Sequence, residues 1–298
     1  MCIRDSPYPM PGPDRLPANR VDWTPDPGRA VLLVHDLQNH FLSAFTTDAP
    51  PIPEMLHHIG RLRAVCAEVG IPVLYTAQPG GQSPEQRGLQ QDFWGPGIPD
   101  DPRAAAIADA VAPGPDDTVV TKWKYGAFTR TDLDTRLREL GRDEVIITGV
   151  YAHIGVQVTA CEAWMRDLRA FVVADAVADF SEVEHLGALT WTAGRCAGVT
   201  DTETLVRSLG KGAGDAGAGA GSAAPVVERL RADVADLLGE DPADLPVDEN
   251  LADHGLDSIR LMSLLERWRV EYGVDLAFPD LAEEPVIERW AALLTPRP

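Results

Sequence analysis

Two side chains of opposite charge follow short apolar runs in this sequence. Asp36 comes just after AVLLV at residues 30–34, and Lys122 just after TVVT at residues 118–121. An acid at the carboxyl end of a buried strand is a candidate site residue, because ligands of open α/β sheets bind at that end. Alone, Asp36 could equally cap the helix that follows, and the pair could be a salt bridge between strand ends. The loop GVYAHIG, Gly149 to Gly155, leads from an apolar run into a helical segment. Its backbone N–H groups would turn toward the same rim and favour an anion or a developing negative charge. Tyr151 and His153 in that loop could line a pocket, although a loop histidine also serves as a solvated or packing residue. Ser258 opens another helical segment directly after Asp257, a pattern that by itself is only a common cap. The cysteines Cys2, Cys66, Cys161 and Cys196 show neither CxxC nor Cys/His ligand spacing, so they read as free thiols of a cytoplasmic protein and no metal is expected.

The elements that must position these groups follow from hydrophobic period and breakers. Residues 30–34, preceded by Pro27 and Gly28, read as a strand buried on both faces. Met55, Ile59, Leu62, Val65 and Val69 lie on one face of a helix over 54–69, closed by Gly70 and Pro72. A strand at Val73 to Tyr75 delivers Gln78, and a polar loop with Arg87, Phe93 and Trp94 leads to a helix around 103–110. A third strand with Val119 and Val120 delivers Lys122. Helices over 132–140, 154–168 and 181–195 alternate with EVIITGV, a strand at Ala170 to Val173 and a short segment near Val199. This alternation predicts an α/β fold, a parallel sheet with helices on both faces. Right-handed crossovers then gather Asp36, Gln78, Lys122 and the 149–155 loop along one rim.

Composition divides the chain. Residues 1–20 form a proline-rich leader, of which the opening MCIRDS is unrelated in character to the residues after it and is set apart from the fold. The α/β domain spans 21–209, and GKGAGDAGAGAGSAA over 210–224 is a flexible Gly/Ala tether. Residues 225–298 form a small all-α domain, with helical spacing over 226–238, 258–272 and 286–294. The net charge is −20, and from residue 225 onward 17 acids face 7 bases, which argues against a nucleic-acid partner and for units of different kind. No apolar run approaches the roughly 18 residues of a membrane span, and the amino terminus has no signal-peptide core.

Five ordered motifs, HDLQNHF, YTAQPGGQSPEQRGLQQDFWGPG, TKWKYGAF, GVYAHIG and VADAVADFSEVEH, closely resemble the isochorismatase family, vinyl-ether hydrolases of the isochorismatase-like superfamily, over about residues 22–204. Many superfamily relatives use an Asp, Lys and Cys triad. The position corresponding to that nucleophile is Gly155, so covalent amide hydrolysis is not expected. The resemblance implies the isochorismatase-like fold and hydrolysis of isochorismate to pyruvate and 2,3-dihydro-2,3-dihydroxybenzoate, with Asp36 as proton donor. It matches Gln78, Arg87 and Lys122 to positions holding the substrate carboxylates and ether oxygen, and Tyr151 and the Gly155 N–H to further contacts. Phe41, Trp94, Tyr125 and Phe128 are the expected apolar wall, and no metal is needed. Lys124 and Gly126 depart from the Arg and Ser frequent in relatives, with an expected effect on substrate choice.

The segment GLDSIRLMSLLERWR, with DENLADHGLDS and VIERWAALL, resembles aryl carrier domains of nonribosomal peptide assembly, which are small four-helix units. That implies a 4′-phosphopantetheine arm on Ser258. The implied partners are a phosphopantetheinyl transferase, an aryl-acid adenylating ligase and the condensation domain of a nonribosomal peptide synthetase, in siderophore biosynthesis. A homo-oligomer, most simply a dimer, is the family expectation. Two alternatives stay open: the same chemistry on 2-amino-2-deoxyisochorismate, and a non-catalytic carrier and docking protein.

Overall fold

A computed structural model of the chain describes residues 7–115, 117–215, 224–238, 242, 245–272, 278–282 and 284–294. The opening MCIRDS lies outside the described residues. The chain divides into two units, Met1–Gly217 and Ala218–Pro298.

In the first unit, six strands lie parallel: β1 (Ala30–His35), β2 (Val73–Ala77), β3 (Thr118–Thr121), β4 (Glu144–Val150), β5 (Arg169–Ala178) and β6 (Gly198–Thr200), in the order β3-β2-β1-β4-β5-β6. Every residue of β1 is buried. Val31 and Leu33 enter one core with Val145, Ile147 and Val172, while Ala30, Leu32 and Val34 enter the other with Ile146 and Val173. This is why its sequence is an unbroken apolar run instead of an alternating one.

The helices of this unit are α1 (Asn39–Leu42), α2 (Ile52–Val69), α3 (Pro84–Arg87), α4 (Gln90–Trp94), α5 (Pro102–Ala105), α6 (Leu133–Glu139), α7 (Gln157–Trp164), α8 (Glu182–Ala193) and α9 (Thr202–Asp215). On one face of the sheet α2 buries Ile52, Met55, Ile59 and Leu62 beside Leu205 and Leu209 of α9. On the other, Leu133 and Leu137 of α6, Ala160 and Ala163 of α7 and Leu189 of α8 close the core. The leader is an ordered arm: the Tyr8 hydroxyl accepts from the Asp179 amide and meets His185 Nδ1, both at 2.9 Å, and the Asn19 side chain pairs with both backbone groups of Val199 at 2.8 Å.

Four boundaries differ from the sequence reading, each for a local reason. The helix expected around 103–110 is broken, because Ala106 is extended and Ile107 bridges to Gln38, leaving α5 and a 3-10 turn at Asp109–Val111. The helix expected over 154–168 begins as a π turn at Ala152–Val156 and stops at Trp164, where Asp167 takes φ 58° and the Leu168 amide closes on the Ala163 carbonyl. Strand β5 continues past Val173 to Ala178 through a register irregularity against β4. Helix α9 continues to Asp215, six residues into the stretch read as tether.

The second unit contains α10 (Ala224–Leu238), α11 (Ser258–Tyr272), α12 (Phe278–Ala282) and α13 (Ile287–Leu294). Their core gathers Leu230, Val234, Leu264, Leu281 and the edge-to-face pair Trp268 and Trp290, with ring centroids 5.5 Å apart. Both indole N–H groups are satisfied, by Asp233 at 2.8 Å and the Leu281 carbonyl at 3.0 Å.

Candidate active site and carrier serine

The strand order reverses between β1 and β4, and the crevice at such a point opens outside the carboxyl ends of the strands. Asp36 stands there, one residue past β1, in a left-handed backbone conformation with φ 49°. Aspartate tolerates this conformation better than most side chains. Thr76 of β2 fixes it: its hydroxyl accepts from the Asp36 amide at 3.1 Å and donates to Oδ1 at 2.5 Å. The other carboxylate oxygen, Oδ2, accepts from Lys122 Nζ at 2.7 Å and Gln78 Nε2 at 3.0 Å. Asp36 and Lys122 are 4% and 1% exposed, so this ion pair has left bulk water. Burial pushes the Asp36 carboxyl upward, but the Lys122 charge and the hydrogen bonds outweigh it, and the group sits below the usual carboxylate range. With the pocket free of ligand, Asp36 is therefore ionised at neutral pH.

Gln78 is held from behind by Gln38. The Gln38 side chain accepts from the Gln78 amide at 2.7 Å and donates to the carbonyls of Gln78 and Ala105 at 2.8 and 2.7 Å. Arg87 enters from α3, whose start is closed by a Ser83 and Gln86 capping box. Its guanidinium donates to the Gly95 carbonyl at 3.0 Å and to Gln78 Oε1 at 3.4 Å. Gly97, at φ 79°, has no Cβ because one would stand 2.8 Å from the Arg87 Cζ. Arg87 is 5% exposed, and among the described residues no carboxylate pairs with it. A buried cation without an anion is costly, and a guanidinium so placed is chemically suited to an anion.

These groups share a cavity of about 430 Å3 with Phe41, Trp94, Tyr125, Tyr151, Gly155 and Phe180, within the size range of small-molecule sites. Tyr151 and Phe180 form its apolar side, with ring centroids 4.2 Å apart, and the Tyr151 hydroxyl donates to the Phe41 carbonyl at 2.9 Å. The Trp94 indole donates to the Tyr125 hydroxyl. The structure thus brings together Asp36, Gln78, Arg87, Lys122, Tyr151, Gly155, Phe41, Trp94 and Tyr125.

Phe128 is the exception. It packs in the core beneath the Arg166 guanidinium, 4.8 Å from its ring centroid, and does not reach the cavity. Gly126 also faces away, since a Cβ there would lie 2.0 Å from the Glu162 carboxylate, which accepts from the Phe128 amide at 2.9 Å. Lys124 donates to the Arg87 carbonyl at 2.9 Å, so it holds the segment carrying Arg87 instead of lining the cavity. His153 turns to Asp179, with its ring Nδ1 and its amide within 2.7 Å of that carboxylate. Glu184 lies beside them, a grouping of potential ligand atoms the sequence did not disclose, although these atoms are engaged with one another and with Ser181.

Sequence reasoning missed Thr76, Gln38, His35 and Phe180. A threonine inside a buried strand and an amide two residues past Asp36 were signals, because each must satisfy polar atoms away from water. His35 stood next to the acid, and Phe180 closes the motif VADAVADF.

In the second unit Asp257 performs the capping: its carboxylate accepts from the Arg260 amide at 2.9 Å. Ser258 is the first residue of α11 and is exposed, so its hydroxyl is not needed to close the helix. A hydroxyl so placed fits a phosphodiester-linked arm.

Comparison with known proteins gives matches to the isochorismatase domain over residues 30–204 and to the phosphopantetheine attachment site over residues 228–294. The chain is 49% identical to an isochorismatase of Bacillus subtilis over 295 residues, covering 98% of this chain and 94% of the relative. It is 45% identical to enterobactin synthase component B of Escherichia coli over 289 residues, covering 97% and 96%. A phenazine biosynthesis protein, PhzD1 of Pseudomonas aeruginosa, is 47% identical over 204 residues, covering 67% of this chain and 95% of that protein.

Proposed function

The chain belongs to the isochorismatase family and carries a phosphopantetheine-attachment domain, and from that premise we propose that it hydrolyses isochorismate and carries an aryl acid on Ser258 for siderophore peptide synthesis. One observation carries the hydrolase reading: a buried acid, Asp36, paired with Lys122, faces a cavity beside Arg87, whose guanidinium has no carboxylate partner among the described residues. Isochorismate presents two carboxylates and an enolpyruvyl ether. Arg87 and Lys122 take the carboxylates, and Gln78 orients the group between them. The proton of Asp36 goes to the terminal CH2 carbon of the enol ether, and the resulting oxocarbenium ion faces the Asp36 carboxylate, which stabilises it. Water adds to the cation and returns a proton to the Asp36 carboxylate, and as the hemiketal C–O bond breaks its hydroxyl proton passes to the leaving oxygen, releasing pyruvate and the ring alcohol. Because Asp36 is ionised in the free pocket, the proton it donates must be acquired with the substrate, whose carboxylates raise its affinity for one.

The carrier reading rests on the exposed hydroxyl of Ser258 and the full-length similarity to a siderophore-synthesis protein. A phosphopantetheine arm there supplies a thiol that holds the acyl group as a thioester. The acidic second unit suits docking on basic partner faces, and the transferase, the ligase and the condensation domain are the proposed partners. No helix among the described residues is long and apolar enough to cross a membrane.

The similarity to the phenazine protein supports a second reading, in which the substrate is 2-amino-2-deoxyisochorismate. Pyruvate release from the two compounds, supplied separately at equal concentration, decides between them. A higher kcat/KM for isochorismate is expected; a higher value for the amino compound moves the chain to an aminoaryl pathway, and release from neither overturns both.

A further inference from the structure

His35 is fully buried at the end of β1, next to Asp36, and borders the cavity. Its Nδ1 lies 2.9 Å from the Val150 carbonyl, which can only accept, so the proton sits on Nδ1 and locks the ring in place. Its Nε2 has no hydrogen-bond partner among the described residues. The Tyr125 backbone also bears on the ring, so the imidazole is held by main-chain groups and not only by apolar packing.

The surroundings of His35 are cut to fit it. A Cβ on Gly155 would stand 2.2 Å from its Cε1, 3.0 Å from Nε2 and 3.1 Å from Nδ1. A Cβ on Gly149, at φ 103°, would stand 2.1 Å from its carbonyl oxygen. Gly155 thus faces the imidazole itself, whereas Gly149 is required by its own backbone conformation and by the close approach of the β1 main chain. The ring is fully buried and is anchored through Nδ1 on the Val150 carbonyl.

We propose that His35 limits the reaction type of this site: its imidazole occupies the volume beside Asp36 in which a side chain on residue 155 would project, and so excludes a nucleophile carried at that position. The cavity then keeps an acid, cations and space for water, with the position on residue 155 closed to a reactive side chain. This inference rests on the hydrolase reading above for its chemistry, but the steric coupling between positions 35 and 155 stands apart from the identity of the substrate.

The test is a double-mutant cycle in the full-length chain with Gly155→Ala, His35→Ala and both together. Gly155→Ala alone is expected to lower Tm and to reduce kcat/KM for isochorismate about 100-fold, whereas in the His35→Ala background the same change costs less than about 5-fold and leaves Tm level or higher. Equal losses in both backgrounds overturn the proposal. If His35→Ala itself abolishes turnover, the Tm cycle decides alone. A second pair reads the vacated space directly. In His35→Ala/Gly155→Cys the introduced thiol is expected to react with iodoacetamide in the folded protein and to be protected by a non-hydrolysable saturated-ether analogue of isochorismate. In Gly155→Cys alone the protein is expected to show lowered Tm and no such protected thiol. A protected thiol equally reactive in both proteins counts against His35. Coupling in Tm without pyruvate release from the unaltered chain would instead reject the hydrolase reading and leave the steric assignment in place.

Discussion

Asp36 is ionised where the proposed chemistry needs an acid, and the resolution lies in what the substrate brings. The neighbours that hold the carboxylate, Lys122 at 2.7 Å and Gln78 at 3.0 Å, are also groups that a dicarboxylate would engage. When Lys122 is shared with a second anion its hold on Asp36 weakens, and the buried carboxyl shifts toward its protonated form. Binding is then linked to proton uptake. For the saturated-ether analogue of isochorismate, Kd is expected to weaken with rising pH by up to about tenfold per unit once pH exceeds the free Asp36 pKa, because the complex holds one more proton than the free protein. Calorimetry in buffers of different ionisation enthalpy should report that proton, and Asp36→Asn should lose both the uptake and the slope. A pH-independent Kd in the unaltered protein would sink this account. At this scale the sequence was legible in where it places charge, since Asp36, Lys122 and Arg87 do meet in one cavity. It was not legible where a residue acts by filling or fixing space: His35, Thr76 and Gln38 look like ordinary strand-end residues until their partners from β2 and β4 are in place.

The strands were readable because both faces of the sheet are covered, which makes β1 an almost continuous apolar run and leaves β4 buried along its whole length. The connections were less so, because their form depends on pairings distant in sequence, such as the bridge from Ile107 to Gln38 that splits an expected helix. The segment formed by α3 and α4 shows what such pairings do for the site. Leu89 and Phe93 are 78% and 76% exposed, so little apolar contact holds this segment down, yet it must deliver Arg87 to the cavity. Lys124 supplies a fastening, donating to the Arg87 carbonyl from the loop after β3. The expected effect of a basic residue at this position on substrate choice is therefore indirect, through the placing of Arg87. Lys124→Ala should raise KM for isochorismate about 5- to 10-fold while leaving kcat within about twofold, since it removes one hydrogen bond of about 1 kcal/mol that positions a substrate-holding cation and not the proton donor. A fall in kcat with unchanged KM would place Lys124 in the chemical step instead.

At the scale of the whole chain, two units with separate cores carry two separate chemistries, and the sequence announced the division through charge and composition before any contact was known. What composition could not locate was the edge: glycine and alanine over 210–215 continue α9, because a helix already begun at Thr202, with its amide and hydroxyl held by Asp175, and buried through Leu205 and Leu209 can propagate through residues that would not start one. Each unit has its own apolar interior: the tryptophan pair in one, the two sheet faces in the other. Damage to one active group should therefore leave the other unit working. Asp36→Asn is expected to end pyruvate release, while mass spectrometry after treatment with a phosphopantetheinyl transferase and coenzyme A still shows the added arm. Ser258→Ala should do the converse, releasing pyruvate at the unaltered rate while gaining no mass. Loss of both activities in either variant would contradict independent units, and mass gain in Ser258→Ala would place the attachment hydroxyl elsewhere. Ser258 is suited to this test because Asp257 caps α11, so removing the serine hydroxyl takes away a reactive group without opening the helix.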